Sequence, residues 1–125
     1  MAEKKELIEC CAHHADRVLE VEAGLTEAGL LGEMAGLFKV LSDPTRLKIV
    51  NALLLSELCV CDITAIVRIP QPSVSHHLKE LRLARLVKFR KAGKETYYSL
   101  NDYHIQLLFD LCKTHSAEQM PKGAC

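Results

Sequence analysis

The apolar residues of this chain recur at helical spacing over much of its length. The first clear stripe repeats every three or four positions, as on one face of an α-helix. Its members are Leu30, Leu31, Met34, Leu37, Phe38 and Leu41. Ser42-Asp43-Pro44 interrupts the pattern, and because Asp favours an N-cap and Pro the first helical turn, one helix is predicted to end here and another to begin. The second helix is predicted to reach about residue 55 and to bury Leu47, Val50 and Leu54.

Two shorter helices are predicted next, at about residues 62–67 and 72–84, joined by a turn at residues 68–71 that contains Pro70. The second helix carries an apolar stripe at i, i+4 and i+7 and a polar opposite face. The stripe consists of Val74, Leu78 and Leu81. Two helices around a tight turn, the second with a polar outer face, are typical of a helix-turn-helix.

The chain then changes to strand-like sequence. Residues 87–90 and 95–100 favour strands, and residues 91–94, which include Gly93, favour a hairpin loop. A basic hairpin that follows a helix-turn-helix is a wing. A last helix is predicted from about residue 102 to 116 with an apolar face wider than a small core needs, which indicates a dimer interface. That face is Ile105, Leu107, Leu108 and Leu111. The predicted fold is mainly α with a small β-hairpin, a homodimeric winged helix-turn-helix.

Length and composition predict one domain in a chain of 125 residues. We expect an N-terminal metal-binding arm at residues 1–16, the winged domain at 17–118 and a tail at 119–125. The sequence opens with no secretory signal pattern and has no apolar run of the roughly 18 residues that a membrane span needs, so a cytoplasmic location is predicted. Thiols stay reduced there, which makes the six cysteines candidate ligands or redox groups.

The net charge of zero hides an asymmetry. Residues 1–35 carry eight acids and three bases, whereas residues 68–98 carry eight bases and two acids. A basic segment on an otherwise acidic chain indicates a nucleic-acid face, although a solvated basic helix would look the same. The residues predicted to contact DNA, at the start of the second helix and on the wing, are Gln71, Ser73, Ser75, His76, His77, Lys79, Arg90, Lys91 and Lys94.

Two thiol-containing clusters point to soft metal ions, which select thiolate and imidazole ligands. Cys59 and Cys61 lie where the helix-turn-helix begins. The second cluster, on the arm, consists of Cys10, Cys11, His13 and His14. Because a closed tetrahedral site needs four ligands, the first pair requires ligands from elsewhere in the sequence. The alternative is that Cys59 and Cys61 are merely small buried residues.

A second candidate site lies on the last helix. Its residues are Asp102, His104, His115 and Glu118. The two histidines are about three helical turns apart and share a face, but they are separated by about 16 Å along the axis at about 1.5 Å per residue. Antiparallel pairing of two such helices would bring the first two residues of one chain to the last two of the other, giving two symmetric sites. The alternative is a polar surface on which Asp102 serves as an N-cap.

These residues together resemble the ArsR/SmtB family of metal-sensing repressors over roughly residues 30–118. LSDPTRL at 41–47 is similar to the family's pre-helix signature, and ELCVCD at 57–62 to its thiol metal box. VSHHL at 74–78 is similar to the recognition helix and KETYYSL at 94–100 to the wing. The Cys-Cys-X-His-His arm departs from the spaced cysteines that are common in the family, so the resemblance leaves open which arm residues bind metal.

The resemblance implies a homodimer that binds operator DNA, an inverted repeat, without metal and leaves it when metal binds, so that genes for metal export or sequestration are expressed. It implies that the arm reaches the thiol box of the partner subunit and that zinc binds between the last helices. It also implies a hydrogen bond from His115 toward the Arg85 carbonyl. Zinc, cadmium, lead and copper(I) are the ions that these ligands suit. We expect soft ions to regulate through the thiol site, with zinc able to act through the helical site.

Other functions account for fewer of these features. A redox switch at the same cysteines is the main alternative, and it predicts release from DNA by peroxide without metal. An arsenite sensor needs three thiols and no histidine, and a metal store needs neither a helix-turn-helix nor a basic wing. We expect no enzymatic activity, because the sequence has no nucleophile–base pair, phosphate loop or HExxH motif.

Overall fold

The computed structural model describes residues 14–121. The chain forms two compact units, with the division between Met34 and Ala35. The helices are α1 (Ala15–Gly24), α2 (Ala28–Leu41), α3 (Pro44–Leu55), α4 (Val60–Val67), α5 (Gln71–Leu83) and α6 (Tyr103–Gln119), and the strands are β1 (Leu58–Cys59), β2 (Val87–Ala92) and β3 (Glu95–Leu100). The predicted fold class, mainly α with a small sheet, is confirmed. Within the described residues every helix is too short or too polar to cross a membrane.

The first unit contains α1 and the N-terminal part of α2. Helix α1 buries none of its residues, and Leu19, Val21 and Leu25 are exposed. Helix α1 was not predicted from the sequence as a separate element. Most of the predicted arm at residues 1–16 lies outside the described residues.

The core of the second unit is formed mainly by α3, α4 and α5. Helix α3 begins where the sequence predicted, since Pro44 follows the N-cap Asp43, whose side chain accepts a hydrogen bond from the Arg46 N–H at 3.0 Å. The fully buried side chains are Ile49, Val50, Ile63, Val74, Leu78, Leu81 and Leu86. The prediction for α3 was wrong at Leu47, which is 39% exposed, because the helix turns Ile49 and Leu53 to the core instead.

Helices α4 and α5 confirm the predicted helix-turn-helix. Helix α4 ends at Arg68, which has a left-handed backbone (φ 57°) and whose N–H donates to the Thr64 carbonyl at 2.9 Å. Helix α5 begins directly after Pro70. The predicted stripe of Val74, Leu78 and Leu81 is completely buried, and Ser75, His76 and Lys79 on the other side of the helix are exposed.

The wing is a three-stranded antiparallel sheet in the order β1-β3-β2. Strands β2 and β3 pair from Val87 opposite Leu100 to Ala92 opposite Glu95, which leaves a two-residue turn with Gly93 at φ 64°, a conformation suited to glycine. Strand β1 was not predicted, because two residues carry no alternating pattern. Its pairing with β3 joins the segment before α4 to the wing.

The turn that follows α5 contains a residue in a strained backbone conformation. Arg85 has φ 60°, its N–H donates to the Arg82 carbonyl, and the Leu86 N–H donates to the Leu81 carbonyl, both at 2.9 Å. These bonds form the Schellman motif, in which this position usually holds glycine. We therefore expect Arg85→Gly to raise the free energy of unfolding by about 1 kcal/mol, measured by urea denaturation at fixed protein concentration.

Arg85→Ala is the matched control for this prediction. It removes the same charged side chain but retains the Cβ that the left-handed conformation disfavours. The alanine variant should therefore show no comparable gain. Equal gains in both variants would assign the effect to loss of the arginine charge and would contradict the backbone explanation.

Candidate metal centres and nucleic-acid interface

Cys59 lies at the junction of the wing and the helix-turn-helix. It is the last residue of β1, opposite Tyr97 of β3, and also the N-cap of α4. Its side chain is 7% exposed, whereas Cys61, in the first turn of α4, is exposed. Because Cys59 has an extended backbone at the N-cap, the two cysteines are not confined to the separate faces that i and i+2 occupy within a helix.

Asp62 forms a capping box with Cys59. The Cys59 N–H donates to Asp62 Oδ2 at 3.4 Å, and the Cys59 side chain accepts from the Asp62 N–H. That N–H is the strongest influence on the thiol and lowers its pKa, but the Asp62 carboxylate and burial act in the opposite direction. The pKa of Cys59 is raised overall, so a metal ion that bound this sulfur would have to displace its proton.

The remaining ligands of a thiol site cannot be placed from the described residues. Among residues 14–121, no three His, Cys, Asp or Glu side chains lie close enough together to hold one metal ion. Cys10, Cys11 and His13 lie outside the described residues, and His14 is the exposed N-cap of α1. Completion of the site by the arm therefore stays a prediction.

Two of the four candidate ligands of the helical site are in contact within one chain. Asp102 is the N-cap of α6, and its Oδ1 accepts from the His104 N–H at 2.9 Å and lies 3.0 Å from His104 Nδ1. The N-cap that we weighed as an alternative role is thus present. Its contacts hold the carboxylate and the imidazole side by side in solvent.

His115 and Glu118 lie exposed in the last turns of α6. Three of the four candidate ligands and two exposed leucines form one continuous stripe, whose members follow one another at intervals of three or four residues and therefore share a helix face. We call this the α6 stripe: His104, Leu107, Leu111, His115 and Glu118. Leu107 is 52% and Leu111 71% exposed, so an apolar centre is flanked by polar ligands at both ends.

The inner side of α6 faces an apolar groove of about 520 Å³. It lies between α6, α3 and the C-terminal end of α2, and Phe38, 53% exposed, is at its edge. The other apolar side chains along it are Leu41, Pro44, Leu47, Val50, Ile105, Leu108 and Phe109. Apolar surface is therefore exposed on both sides of α6, and contiguous surface of this kind marks association sites.

The start of α5 presents polar side chains to solvent. The exposed residues are Gln71, Ser73, Ser75, His76 and Lys79. His77 differs, since it is half-buried and its Nδ1 accepts a hydrogen bond from Arg46 Nε at 3.1 Å. This bond holds the His77 ring against α3. The predicted contact of His77 with DNA would therefore be made by a half-buried ring.

The wing lysines Lys91 and Lys94 are exposed, but Arg90 is engaged. Its Nη2 lies 2.7 Å from Glu57 Oε1 and its Nε donates to Oε2 at 3.0 Å. The hydrogen bond lowers the pKa of Glu57 and raises the pKa of Arg90. Sequence analysis missed this pair, because its members are 33 residues apart and only the register of the unpredicted strand β1 brings them together.

Aromatic contacts join α5 to the wing. The Arg82 guanidinium of α5 lies 5.2 Å from the Phe89 ring centroid, and Phe89 contacts Tyr98 at 5.9 Å between centroids. Tyr98 pairs with Leu58 of β1. Side-chain contacts therefore connect the end of α5 to the wing, and strand pairing connects the wing to β1, which contains Cys59.

Comparisons with known proteins agree with this geometry. Residues 43–88, from the N-cap of α3 to the start of β2, match the profile described as bacterial regulatory protein, arsR family. The chain is 39% identical to the transcriptional repressor SmtB homolog of Synechocystis sp., over 84% of this chain and 80% of that protein. It is 38% identical to the cadmium resistance transcriptional regulatory protein CadC homolog of Staphylococcus aureus, over 91% of this chain and 94% of that protein.

A solved structure shows the same architecture. The homodimeric winged helix-turn-helix DNA-binding domain of Mb0332 from Mycobacterium bovis, described as a possible ArsR-family regulator, has a TM-score of 0.72 and 26% identity. The similarity covers 82% of this chain and 96% of that domain. The predicted winged helix-turn-helix is thereby confirmed.

Proposed function

The chain belongs to the ArsR/SmtB family of bacterial transcriptional regulators, and on this premise we propose that it is a metal-responsive repressor. It binds operator DNA, an inverted repeat, without metal and is released when a soft or divalent ion binds. Zinc, cadmium, lead and copper(I) are the candidate ions. The relatives are regulators and not enzymes, as the sequence predicted.

One observation carries this proposal. Cys59 belongs both to the wing sheet, through its pairing with Tyr97, and to the helix-turn-helix, as the N-cap of α4. An ion bound through Cys59 and Cys61 therefore acts on the junction between the two elements that read DNA. Ligands from the arm, chosen from Cys10, Cys11, His13 and His14, would complete the site.

The α6 stripe supports a second site between two protomers. Antiparallel pairing of two α6 helices would bury Leu107 and Leu111 at the centre and place Asp102 and His104 of each chain beside His115 and Glu118 of its partner. Two imidazoles and two carboxylates suit zinc. His115 would pass a hydrogen bond toward the Arg85 carbonyl, at the end of α5, and full release by zinc in a His115 variant with unchanged zinc affinity would reject that link.

The test is the affinity of fully reduced protein for a duplex that it selects from a random library. Fluorescence anisotropy at fixed salt would compare the metal-free protein with zinc, cadmium, lead and copper(I). A coupling free energy of about 1–3 kcal/mol predicts a 5–150-fold loss of DNA affinity. Unchanged affinity with every ion would reject the metal-sensor function.

The redox alternative is tested in the same assay. A buried thiol with a raised pKa is a poor nucleophile, and Cys59 has both properties, so we expect peroxide to release DNA less effectively than metal does. Release by peroxide alone, reversed by dithiothreitol, would favour the redox switch.

Two substitutions at Asp102 separate its capping role from its proposed metal role. Asp102→Ala should lower the free energy of unfolding by about 1 kcal/mol and weaken zinc binding at α6, because it removes both the cap and a ligand. Asp102→Asn retains a good N-cap but no carboxylate, so stability should be kept while zinc binding weakens. Chelator competition and urea denaturation measure the two effects, and wild-type zinc affinity in the Asn variant would reject Asp102 as a ligand.

A further inference from the structure

In the Glu57–Arg90 ion pair, the Glu57 carboxylate occupies the N–H donors with which Arg90 could bind another anion. The contact is bidentate, through Arg90 Nε and Nη2 at 3.0 Å and 2.7 Å. The two side chains remain 58% and 36% exposed, so a competing anion in solution can reach them. The guanidinium also lies 5.0 Å from the Tyr97 ring centroid, which restricts its orientation.

The sheet register explains why this carboxylate and this guanidinium meet. Arg90 of β2 is opposite Tyr97 of β3, which is opposite Cys59 of β1, and residues directly opposite one another share a sheet face. Glu57 is two residues before Cys59, the spacing that returns to the same face of an extended chain. The ion pair therefore connects β2 to the residue that precedes β1, across β3.

A carboxylate and a phosphate present similar pairs of oxygen acceptors to a guanidinium. Arginine binds either of them through two parallel N–H donors. The Nε–Nη2 edge of Arg90 cannot serve both at once. If the wing contacts the DNA backbone through this edge, the bond to Glu57 must first break.

We propose that Glu57 is an intramolecular competitor of DNA phosphate for Arg90, which makes the pair an autoinhibitory contact in the wing. The inference rests on the proposed function, because operator DNA supplies the competing phosphate. Since Glu57 belongs to the segment that contains Cys59 and Cys61, the contact lies where the proposed metal site could strengthen or weaken it.

The test is Glu57→Gln in reduced, metal-free protein, titrated against the library-selected duplex over a series of KCl concentrations. Loss of an exposed ion pair predicts binding about two- to fivefold tighter than wild type at low salt. The logarithm of the binding constant should also fall more steeply with the logarithm of salt concentration, by up to about 0.9 for one additional phosphate contact. A structural role of Glu57 alone would not steepen this dependence.

Glu95→Gln is the matched control. Glu95 is an exposed acid of the same wing, at the start of β3, and its neutralisation changes the net charge equally without touching Arg90. A gain in Glu57→Gln no larger than in Glu95→Gln, or a loss of affinity, would overturn the proposal. Glu57→Asp, which keeps the charge but shortens the reach, should show a smaller gain and serves if the glutamine variant does not fold.

A double-mutant cycle with Arg90→Gln tests whether the effect acts through Arg90. The gain from Glu57→Gln should disappear in the Arg90→Gln background, and a persistent gain would overturn the proposal. Failure of the proposed function gives different results: without operator binding the wild-type protein selects no duplex, and without metal sensing its affinity for the selected duplex is the same with every ion. The measurements on the Glu57 and Arg90 variants omit metal, so they do not depend on which ion the protein senses.

Discussion

Simultaneous replacement of Cys59 and Cys61 by serine is expected to abolish the release of operator DNA by cadmium. The proposed coupling makes wild-type protein bind its operator 5–150-fold more weakly with the ion, and this whole difference should vanish. Metal-free affinity should remain close to wild type. Serine is a favoured N-cap, so the capping box with Asp62 can persist without the thiol, and Cys61 is exposed.

Cys112→Ser is the control for this experiment. Cys112 is an exposed free cysteine of α6 that we assign to neither metal site, so its removal should leave release by cadmium intact. Persistent release in the double thiol variant would contradict the assignment of sensing to this motif. If release by zinc then disappeared on His104→Ala, control would pass to the helical site.

Placing charges in the α6 stripe is expected to dissociate the dimer and to lower operator affinity by about 10²–10⁴-fold. Leu107 and Leu111 are 52% and 71% exposed within one chain, and the proposed pairing buries both. Leu107→Glu with Leu111→Glu would place four carboxylates in that interface without partners, which is strongly unfavourable. A monomer contacts a single half-site and loses the effective concentration, typically in the millimolar range, that a dimer provides for the second.

Analytical ultracentrifugation and the anisotropy assay measure these two effects. The control is Leu55→Glu, at the end of α3, where an 83% exposed leucine lies off the α6 stripe. The control should remain dimeric and bind operator normally. A dimeric stripe variant with normal DNA affinity would show that α6 does not form the interface, and the paired zinc sites would then be rejected as well.

The sequence by itself determined the helices from α2 to α6, the wing hairpin and the family. Helical spacing identified α2 to α6, Asp43-Pro44 fixed the start of α3, and the stripe of Val74, Leu78 and Leu81 is fully buried. These features depend on residues that are close together in the chain, where the helical repeat decides which side chains share a helix face. The likeness to metal-sensing repressors was also contained in short contiguous motifs, and the comparisons confirm the family.

The tertiary structure alone decided how distant segments meet. Strand β1 forms because β3 supplies its hydrogen-bond partners. Two residues are too few to show the pattern that predicts a strand. Its register makes Cys59 part of the wing and joins Glu57 to Arg90 across 33 residues. In the same way, Arg46 binds His77 and draws that ring toward α3. Such contacts depend on the packing of several elements at once. Local sequence patterns therefore indicated the candidate ligands but not the contacts that join their segment to the wing.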